Sequence, residues 1–348
     1  MATIKFKNVE INSISACVPK NIKYNSDLGY IISEEEVEKI INSIGIKEKR
    51  YADKDVTASD LCFKAAEELI EKNNIDRNSI DIILFLSQSP DYKIPATAPI
   101  LQHKLGLPKS TAALDLSLGC SGYVYALSTA MAYASMEGIN RVLLLVGETF
   151  SKFVNQKDKV NVPLYGDAGT ATLIEKSESD YSYFSLYSDG SGEDAVKIKA
   201  GEARFPTNNE NLIVKEVEDG NYRSDNEIYM DGMDVFNFAL GVVPKSVKEV
   251  CNIANINLMD IDYLVLHQAN KFMTDFIVKR LKLPLEKVPY CLDRYGNTSS
   301  ASIPLTISSE LYNKNVDKIV CCGFGAGLSW GSSYLSLKNC NILPVIEY

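Results

Sequence analysis

The chain has 348 residues, a length that suits one large domain or two domains of ordinary size. Apolar residues make up 46% of it and charged residues 23%, which is typical of a globular protein and excludes a disordered or fibrous one. The 45 acidic residues outnumber the 36 basic ones, and the net charge of −9 argues against a general binder of nucleic acids or of anionic membranes.

The chain start and the cysteines indicate a cellular compartment. The first ten residues lack the apolar segment of a signal peptide, and the longest purely apolar runs, at 82–86 and 142–146, are too short to cross a membrane. The eight cysteines are scattered without a CxxC pair, and two histidines are too few for most metal centres. We therefore expect a reduced cytoplasmic protein with no metal site and no membrane insertion.

Short β-rich runs alternate with helical stretches along the chain. Several of the runs are apolar on both faces, as strands buried between helices are, so the alternation predicts an α/β sheet protein. In chain order, the pattern predicts a helix at 59–72, strands at 80–86, 112–118, 141–146 and 170–174, a helix at 235–253, and strands at 263–267, 318–322 and 333–337.

The sequence also contains a weak internal repeat. Residues 65–81 align without a gap on residues 246–262, an offset of 246 − 65 = 181, and the strands that begin at 141 and 318 lie at the similar offset of 318 − 141 = 177. Identities are few, so chance similarity of two helix–strand units is the alternative. The persistence of the offset favours two duplicated halves. Between them, the polar stretch 187–226 is either a tolerated surface insertion or a wall of a substrate entrance.

Cys120 is the first candidate for chemistry. It stands between a predicted strand and a helix rich in small residues, where unpaired N–H groups and the helix dipole favour a thiolate. Gly119 and Gly122 beside it permit close approach of a ligand. The alternative is one more buried structural cysteine.

Two further polar residues and a glycine-rich segment complete a plausible site. His267 ends a predicted strand, at the rim where α/β sheets build sites, and Asn297 lies in a Gly-Asn turn. Each alone is more often a packing or turn residue. Together with Cys120 they suit thioester chemistry, with a thiolate nucleophile and polar donors for an oxyanion. The segment GFGAGLSWG at 323–331 can offer main-chain N–H groups to a carbonyl oxygen.

Four motifs, in their order and spacing, resemble the β-ketoacyl-ACP synthase III branch of the thiolase superfamily. LYGDAGTATL at 164–173 also resembles the segment that this family has between its cysteine and histidine. The likeness spans nearly the whole chain, and four motifs in register are far more specific than any one of them. The four are GCSG around Cys120, HQAN at 267–270, GNTSSAS at 296–302 and GFGAGLSWG at 323–331.

The resemblance implies a thiolase-like, five-layered αβαβα fold made of two duplicated halves, and usually a homodimer. The N-terminal half, 1–179, would carry the nucleophilic cysteine, and the C-terminal half, 180–348, the histidine and the asparagine. The reaction implied is a decarboxylating Claisen condensation of a cysteine-bound acyl group with malonyl-ACP, which gives 3-oxoacyl-ACP for fatty acid or related acyl-chain biosynthesis. The substrates would be acyl thioesters of ACP or CoA, with no cofactor.

The resemblance also implies residue roles. Cys120 would take the acyl group, while His267 and Asn297 would bind the malonyl thioester and stabilise its enolate. The main-chain N–H groups of Cys120 and Ala326 would form an oxyanion hole; an ordinary family member has glycine where this chain has Ala326. Tyr165 and Gly325, inside the matched segments, are expected to bind substrate.

Other positions are assigned by alignment alone. Lys159 falls where the family often has a CoA-contacting arginine, and Ile94 where a residue crosses the dimer interface to close the partner's acyl pocket. Lys39 and Ser43 stand where starter synthases of the family carry a Trp and an Arg that grip the nucleotide end of CoA. This departure puts acetyl-CoA as the primer in doubt and leaves room for an acyl-ACP donor.

The helix after HQAN is basic on an otherwise acidic protein. Docking of an acidic carrier protein is one interpretation of this cluster, and a solvated helix face is the other. The residues are Lys271, Lys279, Arg280 and Lys282.

Three other functions remain open at this point. The acyl group on Cys120 could pass to an alcohol, an amine or another acyl thioester in a dedicated pathway. A cysteine hydrolase also orders Cys, His and Asn along its chain, but it would lack the duplicated halves. A catalytically silent thiolase-fold subunit is the third, and the joint retention of Cys120, His267 and Asn297 speaks against it.

Overall fold

The computed structural model describes residues 2–218 and 220–348. Its helices are α1 (Glu34–Ile44), α2 (Ala58–Lys72), α3 (Thr97–Lys104), α4 (Gly122–Ser135), α5 (Gly232–Ile253), α6 (Lys271–Leu281), α7 (Leu292–Tyr295) and α8 (Ser302–Glu310). Its strands are β1 (Ala2–Phe6), β2 (Val9–Val18), β3 (Ile22–Tyr24), β4 (Glu48–Arg50), β5 (Ile82–Leu86), β6 (Ala112–Leu116), β7 (Arg141–Glu148), β8 (Ala168–Lys176), β9 (Ser182–Ser188), β10 (Val196–Lys197), β11 (Lys215–Glu216), β12 (Tyr222–Arg223), β13 (Tyr229–Met230), β14 (Tyr263–Leu266), β15 (Lys318–Gly325), β16 (Ser329–Ser336) and β17 (Asn341–Glu347).

Two large sheets repeat the same arrangement of strands. The first has the order β17-β2-β8-β7-β5-β6 and the second the order β1-β9-β16-β15-β14. In the first, β2 and β7 run antiparallel to β8, and β5 runs parallel to β7. In the second, β9 and β15 run antiparallel to β16, and β14 runs parallel to β15. Four neighbouring strands of one sheet therefore have counterparts in the other.

Helices form three layers around the sheets. Buried side chains of α4 and α8 pack together with residues of both sheets, so these two helices lie between the sheets. The outer face of the first sheet is covered by α2 and α3, and that of the second by α5 and α6. This order of layers is the αβαβα architecture that the resemblance described above implies. A helix in the central layer is buried on most sides, which accounts for the small and apolar residues of α4.

The repeat found in the sequence corresponds to equivalent elements. The first residues of β5 and β14 lie 263 − 82 = 181 positions apart. The first and last residues of β7 and β15 lie 318 − 141 = 177 and 325 − 148 = 177 positions apart. The division into halves at 179/180 stays a prediction; β1 lies in the sheet of the second half and β17 in the sheet of the first.

Most predicted boundaries hold within a few residues, and the differences have local causes. The strand predicted over 112–118 ends at Leu116, because the following residues form the turn in which the Gly122 N–H donates to the Gly119 carbonyl at 2.7 Å. The helix predicted from 235 begins at Gly232, since the Asp231 carboxylate accepts from the N–H groups of Met233 and Asp234.

The sequence predicts neither a membrane-spanning segment nor a metal site, and the described residues can be searched for both. No helix within residues 2–218 and 220–348 is long and apolar enough to cross a membrane. The same residues contain no group of three potential metal-ligating side chains.

Candidate active site

Side chains from both halves line one narrow cavity of about 70 Å³. It lies where the turns that follow β5, β6, β14 and β15 meet. Cys120, His267 and Asn297 all contribute to its wall, as do Tyr165, Gly325 and Ala326. The three residues that the sequence singles out as catalytic are thus brought together from positions up to 177 residues apart (297 − 120).

Cys120 lies in the turn between β6 and α4, two residues before the first residue of this central helix. Two glycines of β15 let that strand approach the cysteine. A Cβ atom at Gly325 would lie 2.8 Å from the Cys120 Cβ, and one at Gly323 would lie 2.9 Å from the Cys120 carbonyl oxygen. A side chain at either position would displace the Cys120 turn. Gly325 therefore shapes the cavity by leaving room for the cysteine.

The expectation that the surroundings of Cys120 favour a thiolate is wrong for the free protein. Burial raises the pKa of the Cys120 thiol to about 11, and the Glu148 carboxylate raises it further. The Ser299 hydroxyl, whose Oγ lies 3.5 Å from the Cys120 Sγ, and the cysteine's own N–H act in the opposite direction. Loss of water around the sulfur thus outweighs these two hydrogen bonds.

A measurable pH dependence follows from this raised pKa. Because the thiol pKa of about 11 lies well above neutrality, the thiolate fraction of Cys120 should rise about tenfold per pH unit between pH 7 and 9. The initial rate of Cys120 alkylation by iodoacetamide, followed by peptide mass spectrometry, should rise in the same proportion. Cys321 and Cys322, which are 0% exposed, should stay unlabelled in the folded protein. A rate that is already constant above pH 7 would contradict the raised pKa.

His267 follows directly after β14 and is buried. Burial lowers its pKa to about 3, and a hydrogen bond to the Ser299 main chain only partly opposes this, so the ring is neutral at pH 7. The Nδ1 atom lies 2.7 Å from the Ser302 Oγ, and Phe324 packs edge-on against the ring. When the Ser302 hydroxyl donates to Nδ1, the proton of the neutral ring is on Nε2, which makes Nε2 a hydrogen-bond donor.

Asn297 is held by hydrogen bonds at its main chain and at its side chain. Its N–H donates to the Leu164 carbonyl at 2.8 Å, and its carbonyl accepts from the Gly166 N–H at 3.0 Å. Its side-chain Oδ1 accepts from the Ser299 N–H at 2.9 Å. Since the oxygen of the amide is occupied in this way, the NH₂ group is the part that can donate to a ligand.

Two main-chain N–H groups are candidates to bind an oxyanion: that of Cys120, in the turn before α4, and that of Ala326, in the glycine-rich loop after β15. Cys120 and Ala326 both line the cavity. Among the turn and loop hydrogen bonds of the described residues, none is donated by the N–H of Cys120 or of Ala326. The Ala326 carbonyl accepts from the Ser329 hydroxyl at 2.9 Å, which holds the glycine-rich loop in place.

The other residues that are expected to bind substrate have different locations. Tyr165 lines the cavity and packs against Phe150 with ring centroids 5.5 Å apart. Lys159 lies outside the cavity wall, beside Glu36 of α1 and the Gly220–Asn221 turn, where its N–H donates to the Asn221 Oδ1. Ile94 is 88% exposed on the single chain and does not reach the cavity.

The four basic residues on and after α6 do not form one uniform cluster. Lys271, at the helix start, pairs with Asp275 one turn later, so its charge is largely compensated. Lys279 and Arg280 in the last turn and Lys282 just beyond it are exposed. Only the three residues at the C-terminal end of α6 thus remain as an exposed basic patch.

Sequence reasoning missed several polar residues of the site. Ser299 and Ser302 contact Cys120 and His267 respectively, and Ser299 adopts a left-handed backbone with φ of 50°. They lie in the GNTSSAS motif, but nothing in the motif says which serine faces which partner.

The two amides of the HQAN motif have structural partners. The Gln268 amide donates to the Leu266 carbonyl, and the Asn270 Oδ1 accepts from the Met273 N–H to cap α6.

The long polar stretch between the halves contributes to the cavity. Val196 on β10 and Met230 on β13 belong to a two-stranded ribbon, and both line the cavity with Ile228. The neighbouring residues of the same ribbon, Lys197 and Tyr229, face a separate surface cleft. Val196 lies within the stretch 187–226, whereas Ile228 and Met230 lie just beyond its end. The interpretation of the stretch as a wall of a substrate entrance therefore fits it at Val196.

The cavity contains a thiol beside a central helix, a neutral histidine and an asparagine amide, and it lies within a two-sheet αβαβα fold. This combination of fold and site defines a thiolase-like condensing enzyme. Two family models match the chain: 3-oxoacyl-[acyl-carrier-protein (ACP)] synthase III over residues 114–190, and its C-terminal part over residues 251–337.

Individual relatives agree over nearly the whole length. The beta-ketoacyl-[acyl-carrier-protein] synthase III of Clostridium acetobutylicum is 37% identical, over 94% of this chain and 98% of the relative, and that of Clostridioides difficile is 38% identical, over 83% and 86%. The crystal structure of a 3-oxoacyl-(acyl-carrier protein) synthase from Burkholderia xenovorans superposes with a TM-score of 0.93 at 36% identity, covering 100% of this chain and 99% of the other. This chain belongs to the β-ketoacyl-ACP synthase III family.

Proposed function

We propose that this enzyme condenses an acyl group bound to Cys120 with malonyl-ACP, releasing carbon dioxide and giving 3-oxoacyl-ACP. The observation that carries the proposal is that Cys120, a neutral His267 and the Asn297 amide line one cavity. A neutral imidazole and an amide are donors without charge, which suits an enolate oxygen that must later lose its negative charge again.

The first half-reaction is acyl transfer to the cysteine. The Cys120 sulfur attacks the carbonyl carbon of the donor thioester, a new C–S bond forms, and the thiol of the donor leaves with the proton. The N–H groups of Cys120 and Ala326, two residues that line the cavity, bind the oxyanion of the tetrahedral intermediate in this proposal. Because the free thiol has a raised pKa, the thiolate is formed only in a small fraction of molecules at any moment.

The second half-reaction is decarboxylation and carbon–carbon bond formation. The malonyl thioester carbonyl accepts from the His267 Nε2–H and the Asn297 NH₂. Its C–CO₂⁻ bond breaks, carbon dioxide leaves, and the electron pair forms an enolate. The enolate carbon then attacks the acyl carbonyl on Cys120, and the cysteine sulfur departs. Every step uses a thioester already activated for nucleophilic attack, so we propose that no cofactor or metal is needed; a loss of activity in EDTA would contradict this.

The test is release of carbon dioxide from malonyl-ACP labelled at its free carboxyl. Enzyme first acylated on Cys120 should release label in an amount equal to the 3-oxoacyl-ACP formed. Disappearance of acyl-Cys120 onto an alcohol, an amine or another acyl thioester without labelled carbon dioxide would instead support the alternative acyl transfer.

The carrier protein and the donor are linked proposals. We propose that an acidic acyl carrier protein docks on the exposed basic patch of Lys279, Arg280 and Lys282. Charge reversal at these positions should raise KM for malonyl-ACP and leave kcat unchanged, because exposed charges mainly affect association. An unchanged KM in the triple variant would contradict docking at this place.

The donor preference is expected to favour carrier-bound acyl groups over free acyl-CoA. Lys39 is already paired with Glu35 at 2.6 Å, and Ser43 has no charge, so α1 offers neither an aromatic platform nor a free guanidinium for a nucleotide. Loss of stacking and of an Arg–phosphate contact together costs roughly 2–4 kcal/mol, or about 30- to 1000-fold in affinity.

The measurement is steady-state acylation of Cys120 by matched acyl-CoA and acyl-ACP donors. Lys159 lies near Glu36 of α1, so Lys159→Ala reports whether this lysine contributes to CoA binding. A kcat/KM for acetyl-CoA equal to or above that for acyl-ACP would show that the inference from Lys39 and Ser43 is wrong.

We also propose a cytoplasmic homodimer in which Ile94 closes the partner's acyl pocket. Ile94 is 88% exposed and its neighbour Tyr92 61%, which is unusual for large apolar side chains on a free surface. Light scattering should give a mass near 2 × 38.5 = 77 kDa. A mass of one chain at micromolar concentration would rule out the dimer, and recovery in a membrane fraction would rule out the compartment.

A further inference from the structure

Glu148, the last residue of β7, is a fully buried carboxyl close to the cavity but outside its wall. The Ser89 hydroxyl donates to its Oε2 at 2.8 Å and the Ser87 hydroxyl at 3.2 Å. The Gln88 N–H lies 3.1 Å from both carboxylate oxygens. The carboxyl thus fixes the turn that follows β5 in the N-terminal half.

The same carboxyl also holds a turn of the C-terminal half. The Ser300 hydroxyl donates to the Glu148 Oε1 at 2.8 Å. Ser300 follows Ser299, whose Oγ lies 3.5 Å from the Cys120 Sγ and whose N–H donates to the Asn297 Oδ1. Glu148 is therefore the group to which both sides of the cavity are tied.

The two turns place atoms next to the nucleophile. Gln88 lines the cavity, and its Oε1 would lie 2.6 Å from a Cβ atom at Gly119, which shows how closely the amide packs on the cysteine turn. Ser299 is held in a left-handed backbone conformation, which costs a non-glycine residue free energy and persists only where the surroundings enforce it. The Ser300–Glu148 bond is one such constraint.

We propose, on the basis of the function proposed above, that Glu148 is a positioning residue of the reaction, which holds Ser299 and Gln88 against the Cys120 turn. It acts through these neighbours and touches no substrate. An ordinary core position would hold an apolar side chain here, since a buried carboxyl without a cationic partner is costly. Among the described residues, its partners are hydroxyls and a main-chain N–H.

The charge of Glu148 gives the proposal an independent readout. Burial raises the pKa of Glu148 to about 7, and its ionised form raises the pKa of Cys120. The Glu148 charge also raises the pKa of Cys62, and Tyr165 and His267 line the Cys120 cavity. Burial keeps all three of these neutral near pH 8, so Glu148 is the charge that acts on the thiol.

Two variants separate position from charge. Glu148→Gln keeps the shape of the side chain but removes its charge, and it leaves one acceptor oxygen for the three hydroxyls and the main-chain N–H that now donate to the carboxylate. Ser300→Ala breaks the link to Ser299 but keeps the charge. Ser308→Ala is the matched control, because Ser308 is an equally buried serine whose hydroxyl has no hydrogen-bond partner among the described residues.

The experiment compares single-turnover acylation of Cys120 by an acyl thioester with its alkylation by iodoacetamide at pH 8.5. In Glu148→Gln, acylation should fall about 10-fold or more through misplacement, while alkylation becomes roughly threefold faster because the thiol pKa falls. In Ser300→Ala, acylation should also fall and alkylation should not accelerate. Ser308→Ala should stay within about twofold of the wild type in both.

Three results would overturn the proposal. These are acylation within about twofold of the wild type in both test variants, alkylation of Glu148→Gln that falls in step with acylation, or equal losses in Ser308→Ala. Circular dichroism melts of each variant identify unfolding, and Ser300→Ala provides the test if Glu148→Gln does not fold. Failure of the proposed condensation would appear separately, as a wild-type enzyme that is acylated but releases no carbon dioxide from malonyl-ACP.

Discussion

Replacing Cys120 by serine should abolish acyl transfer to the enzyme, with a fall of about 10⁴-fold or more in the acylation rate. The serine hydroxyl would stand in a site that already raises the pKa of a thiol to about 11, so ionisation of the less acidic hydroxyl would be negligible. The side chain within hydrogen-bond distance of the sulfur, Ser299, is another hydroxyl and cannot act as a strong base.

The measurement is mass spectrometry of the intact protein after incubation with acyl-ACP or acyl-CoA. Cys340→Ser is a suitable control, because this cysteine is also partly exposed but lies before β17, away from the cavity. The control should acquire one acyl group as the wild type does. Full acylation or full activity of Cys120→Ser would disprove the assignment of the nucleophile.

Alanine at His267 or at Asn297 should separate the two half-reactions. Each variant removes one donor from the enolate oxygen, and one such donor is worth about 10²–10³ in rate. Acylation of Cys120 should continue, because neither side chain bonds the sulfur in the described structure. We expect acyl-enzyme to accumulate and the release of labelled carbon dioxide from malonyl-ACP to stop.

The control for the histidine is His103→Ala, since His103 is the other histidine of the chain and is exposed on α3. It should leave both half-reactions unchanged. If His267→Ala or Asn297→Ala decarboxylated malonyl-ACP normally but failed to form acyl-Cys120, the two roles would have to be exchanged.

The elements of the fold were largely predictable from local patterns. The purely apolar run of β7 and the helix signals of α2, with Thr57 and Asp60 as a capping box, depend on residues that are neighbours in sequence. The offsets of 181 and 177 residues indicate duplicated halves from the sequence alone. What those patterns could not show is that β1 and β17 each join the sheet of the opposite half, because strand pairing at a sheet edge depends on contacts distant in sequence.

The sequence by itself determined which groups form the site: a thiol at a strand–helix turn, a histidine at a strand end and an asparagine in a glycine turn. Each alone is an ordinary residue, and it is the set of three, in motifs that resemble one family, that indicates a site. Only the tertiary structure decided how these groups behave. Burial raises the thiol pKa of Cys120 and keeps His267 neutral, and it depends on which layers enclose the site. The same holds for Glu148, which in sequence is merely the end of an apolar strand and becomes the link between both halves because three-dimensional packing brings Ser89 and Ser300 to one carboxyl.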